Sequence, residues 1–164
     1  MSTVSLDNRS GEDLPLDAYE AFACFVLDQF ALPVSAELAI SLVGVDEIHG
    51  LNLQYRGIDA PTDVLSFACD AFDGQGAPDG GGGGSAACCA GEAPCLLGDV
   101  IVAPVVAREH ARDFDARFED EMLLMLVHGI LHLMGHDHED DEEAAAMEAH
   151  ESSLLEAWGA RCNA

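Results

Sequence analysis

RFEDEMLLMLVHGILHLMGHDH, residues 117–138, is the stretch on which the fold turns. From Arg117 to Met134 its apolar side chains recur at three and four residues. Met122, Leu126, Ile130 and Leu133 form one row; Leu124, Val127, Leu131 and Met134 form another. That period belongs to an α-helix, and two apolar rows predict a helix that is central and buried. Glu119, Asp120 and Glu121 fall in its first turn, where the positive end of the helix dipole favours acids. Gly135 is the expected stop, because glycine takes the left-handed conformation at little cost.

His128 and His132 are four residues apart, so they share one face of this helix and can reach one ion together. Beyond the turn at Gly135, His138 can add a third nitrogen. Three protein ligands leave a tetrahedral zinc ion one open position, as in catalytic sites; a fourth would indicate a structural site. As plain core residues these imidazoles would put uncompensated polar groups into an apolar helix. One zinc ion on His128, His132 and His138 is therefore the expected cofactor. His136 is the rival ligand, with poorer spacing, and Asp137 is equally suited to orienting a ligand imidazole or to a turn. The spacing H-x-x-x-H-x-x-G-x-x-H equals that of the metzincin peptidases, but those carry a glutamate base where this chain has Gly129. The metal geometry resembles a zinc protease whose protease chemistry is missing. Close packing of another backbone is the alternative use for this glycine.

Outward from the helix, the pattern is β-α-β-α. Val4–Leu6 reads as a short strand, and Pro15 opens an amphipathic helix reaching about Ala31. Leu38–Val43 alternates like a largely buried strand. Asp46 is placed to cap a short helix with Ile48, Leu51 and Tyr55 facing inward. Asp63–Phe67 is β-like. Leu96–Ala103 is a strand interrupted at Gly98-Asp99, and Pro104 starts a helix to about Asp113. A last helix runs from Asp140 or Asp141 to about Trp158. Between residues 73 and 95 periodicity vanishes around five consecutive glycines, Gly80–Gly84. That stretch is read as a flexible loop within one domain spanning 1–164, since too little chain remains for two cores.

The formal charge is −25, with 31 acids, six Arg and no Lys, which opposes binding polyanions over a broad surface. Any nucleic-acid contact must be local. Arg108, Arg112 and Arg117 are candidates for a phosphate-guiding rim or for surface ion pairs. The N-terminus has neither a basic start nor an apolar run, and no segment is long enough to cross a bilayer, so the expected compartment is the cytoplasm. The six cysteines, Cys24, Cys69, Cys88, Cys89, Cys95 and Cys162, spell no C-x-x-C and are expected to be reduced small side chains.

His128–His138 matches H-G-x-L-H-L-x-G-[Y/H]-D-H, a motif of the YbeY family of bacterial rRNA maturation endoribonucleases. Asn52–Phe67 is similar to that family's N-x-x-Y-R-x-x-D-x-P-T-D-V-L-S-F, and Leu97–Val102 to its L-G-D-[IV]-x-[IV]. Three motifs in order, spanning Asn52 to His138, make a specific resemblance. It implies an α/β (α+β) metalloprotein with a mixed four-stranded sheet and about five helices. It implies a zinc-dependent, single-strand-specific endoribonuclease acting in small-subunit rRNA 3′-end maturation and ribosome quality control. Its partners would be rRNA and the small ribosomal subunit, with no membrane and no DNA. The zinc ligands carry over to His128, His132 and His138, and the active-site arginine to Arg56. Taken alone, Arg56 fits equally well a fork on phosphate oxygens or a salt bridge to Asp59 or Asp63. The glycine-rich insertion is longer than the resemblance leads one to expect. Two other readings are a ribosome-assembly factor with a structural zinc and a different metallohydrolase.

Overall fold

The computed structural model describes residues 2–32, 35–69, 95–135 and 140–164. The loop expected at about 73–95 lies outside them except for Cys95, and so does His138. The elements run β1 (Thr3–Asn8), α1 (Leu16–Leu27), β2 (Ala36–Leu42), α2 (Val45–Arg56), β3 (Val64–Ala68), β4 (Cys95–Val102), α3 (Pro104–Asp113), α4 (Phe118–Leu133) and α5 (Asp141–Cys162). The strands form one mixed sheet in the order β1-β2-β4-β3. β1, β2 and β4 are parallel, and β3 returns antiparallel to β4. The α/β expectation and the four-stranded mixed sheet hold. Among the described residues no helix is long and apolar enough to cross a membrane.

Alternation along β2 decides which face is core. Ala36, Leu38, Ile40 and Leu42 are buried and pack with Phe22 and Val26 of α1 and with Leu126 and Ile130 of α4. Fully burying each such Leu, Ile or Phe stabilises the fold by about 1.5–3 kcal/mol before ordering costs. On the other face, Leu65 and Ile101 meet Ile48 of α2 in a smaller cluster. α4 is central as expected, although Leu124 is only partly buried while Met125 is buried. Both rows thus enter the core, rotated slightly from the expected face.

Four local expectations change. α2 starts after Gly44 with no side-chain cap; Asp46 lies in its first turn, where it complements the helix dipole instead. Tyr55 is 60% exposed and stacks edge-on against Phe67, because the inward stripe of α2 runs through Ile48 and Asn52. β4 is not interrupted at Gly98-Asp99. After Glu37 pairs with Leu96, Leu38 pairs with Gly98, so Leu97 is the extra residue of a bulge. Gly98 has φ +142°, and a Cβ there would lie 2.2 Å from the Phe67 carbonyl oxygen, so only glycine fits. Cys95 is disulfide-bonded rather than reduced; Cys24, Cys69 and Cys162 are free.

α5 runs past the expected end at Trp158, whose ring packs on Phe22 and Phe25 of α1 with centroids 5.5 and 5.3 Å apart. That aromatic contact holds α5 against α1. Asp140 caps α5 by accepting from the Glu143 backbone N–H at 2.8 Å. The helix is thereby placed so that its buried stripe, Met147, Glu151 and Leu154, reaches the core.

Candidate metal centre and its cavity

α4 packs against β3 and β4, and Gly129 sets how closely it lies there. A Cβ at residue 129 would meet Val100 Cγ1 at 2.6 Å, Val64 Cγ2 at 3.1 Å and Ser66 Oγ at 3.2 Å. Ser66 Oγ also donates to the Gly129 carbonyl at 2.8 Å. The glycine thus serves close packing, but against side chains of β3 and β4 rather than another backbone. There is no space at this position for a glutamate.

This approach presents His128 and His132 on one face. Their Nε2 atoms are 3.1 Å apart, and their rings meet edge to face. Two nitrogens that each lie about 2.0–2.1 Å from a tetrahedral ion are separated by roughly 3.3 Å, so the pair suits one zinc. Glu151, buried on α5, accepts from His128 Nδ1 at 2.6 Å. That bond fixes the ring and leaves its Nε2 lone pair for a metal, the role of an outer carboxylate behind a metal-binding histidine. Among the described residues, no three His, Cys, Asp or Glu side chains converge on one point. The expected third ligand, His138, and the rivals His136 and Asp137 lie outside the described residues.

Glu151 was not singled out by the sequence reading, which offered Asp137 equally as an orienting group or as a turn residue. A signal was present: Met147, Glu151 and Leu154 recur at four and three residues, so Glu151 sits on the buried stripe of α5. Removing an outer partner of this kind typically weakens metal binding about 10–100-fold. Glu151→Ala should therefore bind zinc more weakly by that factor, whereas Glu151→Gln, which keeps an acceptor oxygen, should lose less. Competition with a zinc chelator measures both.

Arg56 ends α2, where the Gly57 and Ile58 N–H groups close on the Leu53 and Asn52 carbonyls. Buried Asn52 donates to the Ala60 carbonyl at 2.8 Å and ties the following loop back to the helix. This places Arg56, Thr62 and Asp63 on one rim. Together with β3, His128, His132 and Leu133 they line a cavity of about 530 Å³. The alternative salt bridges are taken by others. Asp59 pairs with His49 at 2.7 Å; Asp63 accepts from the Val64 N–H at 2.8 Å and lies 3.5 Å from His110. Below His110, burial pushes the Glu121 carboxyl up from its ordinary value, opposed by His110 and reinforced by Asp63.

The arginine rim does not assemble. Arg108 donates to Glu12 at 3.2 Å and stacks 3.9 Å over the Phe118 ring. Arg117 lies 3.9 Å from Glu119. Neither these two nor Arg112 is among the described residues lining the cavity.

A family model described as Endoribonuclease YbeY matches residues 6–159. A protein of Salinispora tropica named Endoribonuclease YbeY is 40% identical, with 95% of this chain and 96% of that one covered. One of the same name from Bacillus subtilis is 36% identical, with 82% of this chain and 80% of that one covered. A Thermotoga maritima protein solved in solution is 30% identical over 99% of this chain and 93% of its own, with a TM-score of 0.59.

Proposed function

The chain belongs to the YbeY family, and from that premise we propose that it is a zinc-dependent endoribonuclease. Its substrate on this reading is single-stranded rRNA, at the 3′ end of the small-subunit species, and its partner the small ribosomal subunit during maturation and quality control. The observation that carries the reading is that Arg56, from α2, lines the same cavity as His128 and His132, from α4. A bare histidine pair would serve many metalloproteins; a guanidinium that pairs with no carboxylate among the described residues suits a phosphodiester.

His128, His132 and His138 would hold the ion. When bound, zinc supplies Lewis-acid polarisation and a water that ionises near neutral pH. The remaining work falls to the chain. Glu151 keeps the His128 ring in one tautomer and orientation. Arg56 offers a planar fork of donors to the phosphate oxygens, where it stabilises the charge that develops as the phosphorus gains a fifth oxygen. Gly129 supplies no carboxylate base, which counts against peptide hydrolysis.

The test is zinc-loaded protein on small subunits and on single-stranded RNA, with a His132 variant alongside to exclude a contaminating nuclease. Absence of cleavage by zinc-loaded wild type would end the reading. Within that assay Arg56→Ala should keep zinc and fold while turnover falls roughly 10²–10³-fold, the usual cost of a lost transition-state donor. Arg56→Lys should recover little, since a point charge lacks the fork. Wild-type rates in Arg56→Ala would remove the role.

A further inference from the structure

The strand order β1-β2-β4-β3 leaves β3 at the border of the sheet; among the described residues no strand pairs with its outer edge. The ladder determines which backbone groups face outward. Ala103 N–H donates to the Asp63 carbonyl at 2.9 Å, and Cys69 N–H to the Leu97 carbonyl at 3.2 Å. Residues 63 and 103, and 69 and 97, are thus hydrogen-bonded pairs. By alternation along the register, so are Leu65 with Ile101 and Phe67 with Asp99. Val64, Ser66 and Ala68 then turn their N–H and C=O groups away from β4. The Val64 N–H is already taken by Asp63 Oδ1 at 2.8 Å. The donors left on this edge are the amides of Ser66 and Ala68, and both residues line the cavity with Arg56, His128 and His132.

We propose that the outer edge of β3 is the rail along which an extended single strand of RNA lies, with the Ser66 and Ala68 amides donating to its phosphate oxygens. The inference rests on the endoribonuclease reading and assigns that substrate a path. Residues two apart on a strand are spaced by about 6.6–6.8 Å, close to the interval between successive phosphates of an extended chain. Backbone amides are regular partners of phosphates in nucleic-acid complexes. They also answer the difficulty that charge raises. A formal charge of −25 with six Arg and no Lys opposes binding over a broad cationic surface; neutral N–H dipoles beside one guanidinium hold a polyanion without one. An edge presents a single row of groups along the lining of a cavity of about 530 Å³, which suits one strand and not a duplex.

Amide hydrogen exchange on the zinc-loaded wild type tests the rail, with a short 2′-O-methyl oligoribonucleotide as probe and fluorescence anisotropy as an independent measure of binding. Saturation with the single strand should slow exchange at Ser66 and Ala68 about tenfold or more, with little change at Leu65 and Phe67, which are already bonded to β4. The same oligonucleotide in duplex form should give no such alternation. Binding seen by anisotropy without protection at Ser66 and Ala68 overturns the rail and leaves the endoribonuclease reading standing. No binding, together with no cleavage of natural RNA, overturns both. As a second arm, Ser66→Pro deletes one outward donor while sparing the ladder to β4, and Ser66→Ala subtracts the lost bond to the Gly129 carbonyl. Affinity for the oligonucleotide should fall about fivefold from Ser66→Ala to Ser66→Pro, the scale of one hydrogen bond. Equal affinities overturn the rail; if Ser66→Pro does not fold, the exchange pattern of the wild type decides.

Discussion

His132→Ala is expected to lose nearly all bound zinc while the fold survives. Wild-type protein should carry close to one equivalent of the metal. On the proposed reading His132 is a direct donor, and its Nε2 lies 3.1 Å from that of His128. Its removal should therefore cost more than the roughly 10–100-fold typical of an outer partner such as Glu151. The ring is only half-buried at the cavity wall, so truncation opens space toward solvent rather than a sealed void in the core. Metal analysis and thermal melting should separate: zinc absent, cooperative unfolding retained, RNA cleavage gone. Full zinc in His132→Ala would dismiss this site, and the endoribonuclease reading would lose its metal.

The second large effect concerns Gly129. Alanine normally improves a helix interior by about 1 kcal/mol over glycine. Here the added methyl would press on Val100 Cγ1 at 2.6 Å and Val64 Cγ2 at 3.1 Å. Both are stiff β-branched side chains of the sheet. Overpacking of a tight core costs about 1–3 kcal/mol, so the clash should outweigh the propensity gain and Gly129→Ala should melt lower by a few degrees. Val100→Ala in the same chain should restore part of the loss. Gly129→Glu, which would recreate the metzincin pattern, should be far worse. It would drive an unpaired carboxylate between the two valines, at several kcal/mol and thus a large share of a domain's total stability. A variant Gly129→Glu that melts like wild type would show that α4 does not lie where these contacts put it.

Much of the architecture was legible without coordinates because it is written in local period and punctuation. The 3.6-residue recurrence gave α4 its central place, Pro104 its neighbour's start and Gly135 its stop, and both helices form there. The pairing of His128 with His132 needed only the pitch of a helix. The YbeY resemblance was likewise carried by residues contiguous in the chain. Reading failed where one local signal stood for a tertiary outcome. Tyr55 fits an inward stripe by spacing, yet it lies on the exposed side of α2 against Phe67. Asp46 suits a cap by residue type, but the helix begins one residue before it.

What the sequence determined by itself is the set of elements, the histidine pair on one face of α4, and a charge that confines any contact with RNA to a local patch. Only the tertiary structure decided what surrounds that pair. Glu151 is 23 residues from His128 and becomes its hydrogen-bond partner because Trp158 packs α5 onto α1. Arg56 reaches the cavity because Asn52 ties the loop after α2 back onto the helix. β3 ends at the border of the sheet because β4 inserts between it and β2, one of several orders that four strands of similar pattern permit. Periodicity reports which face of an element is buried; it carries no term for which distant element covers that face, and the choice is made by packing all the faces at once.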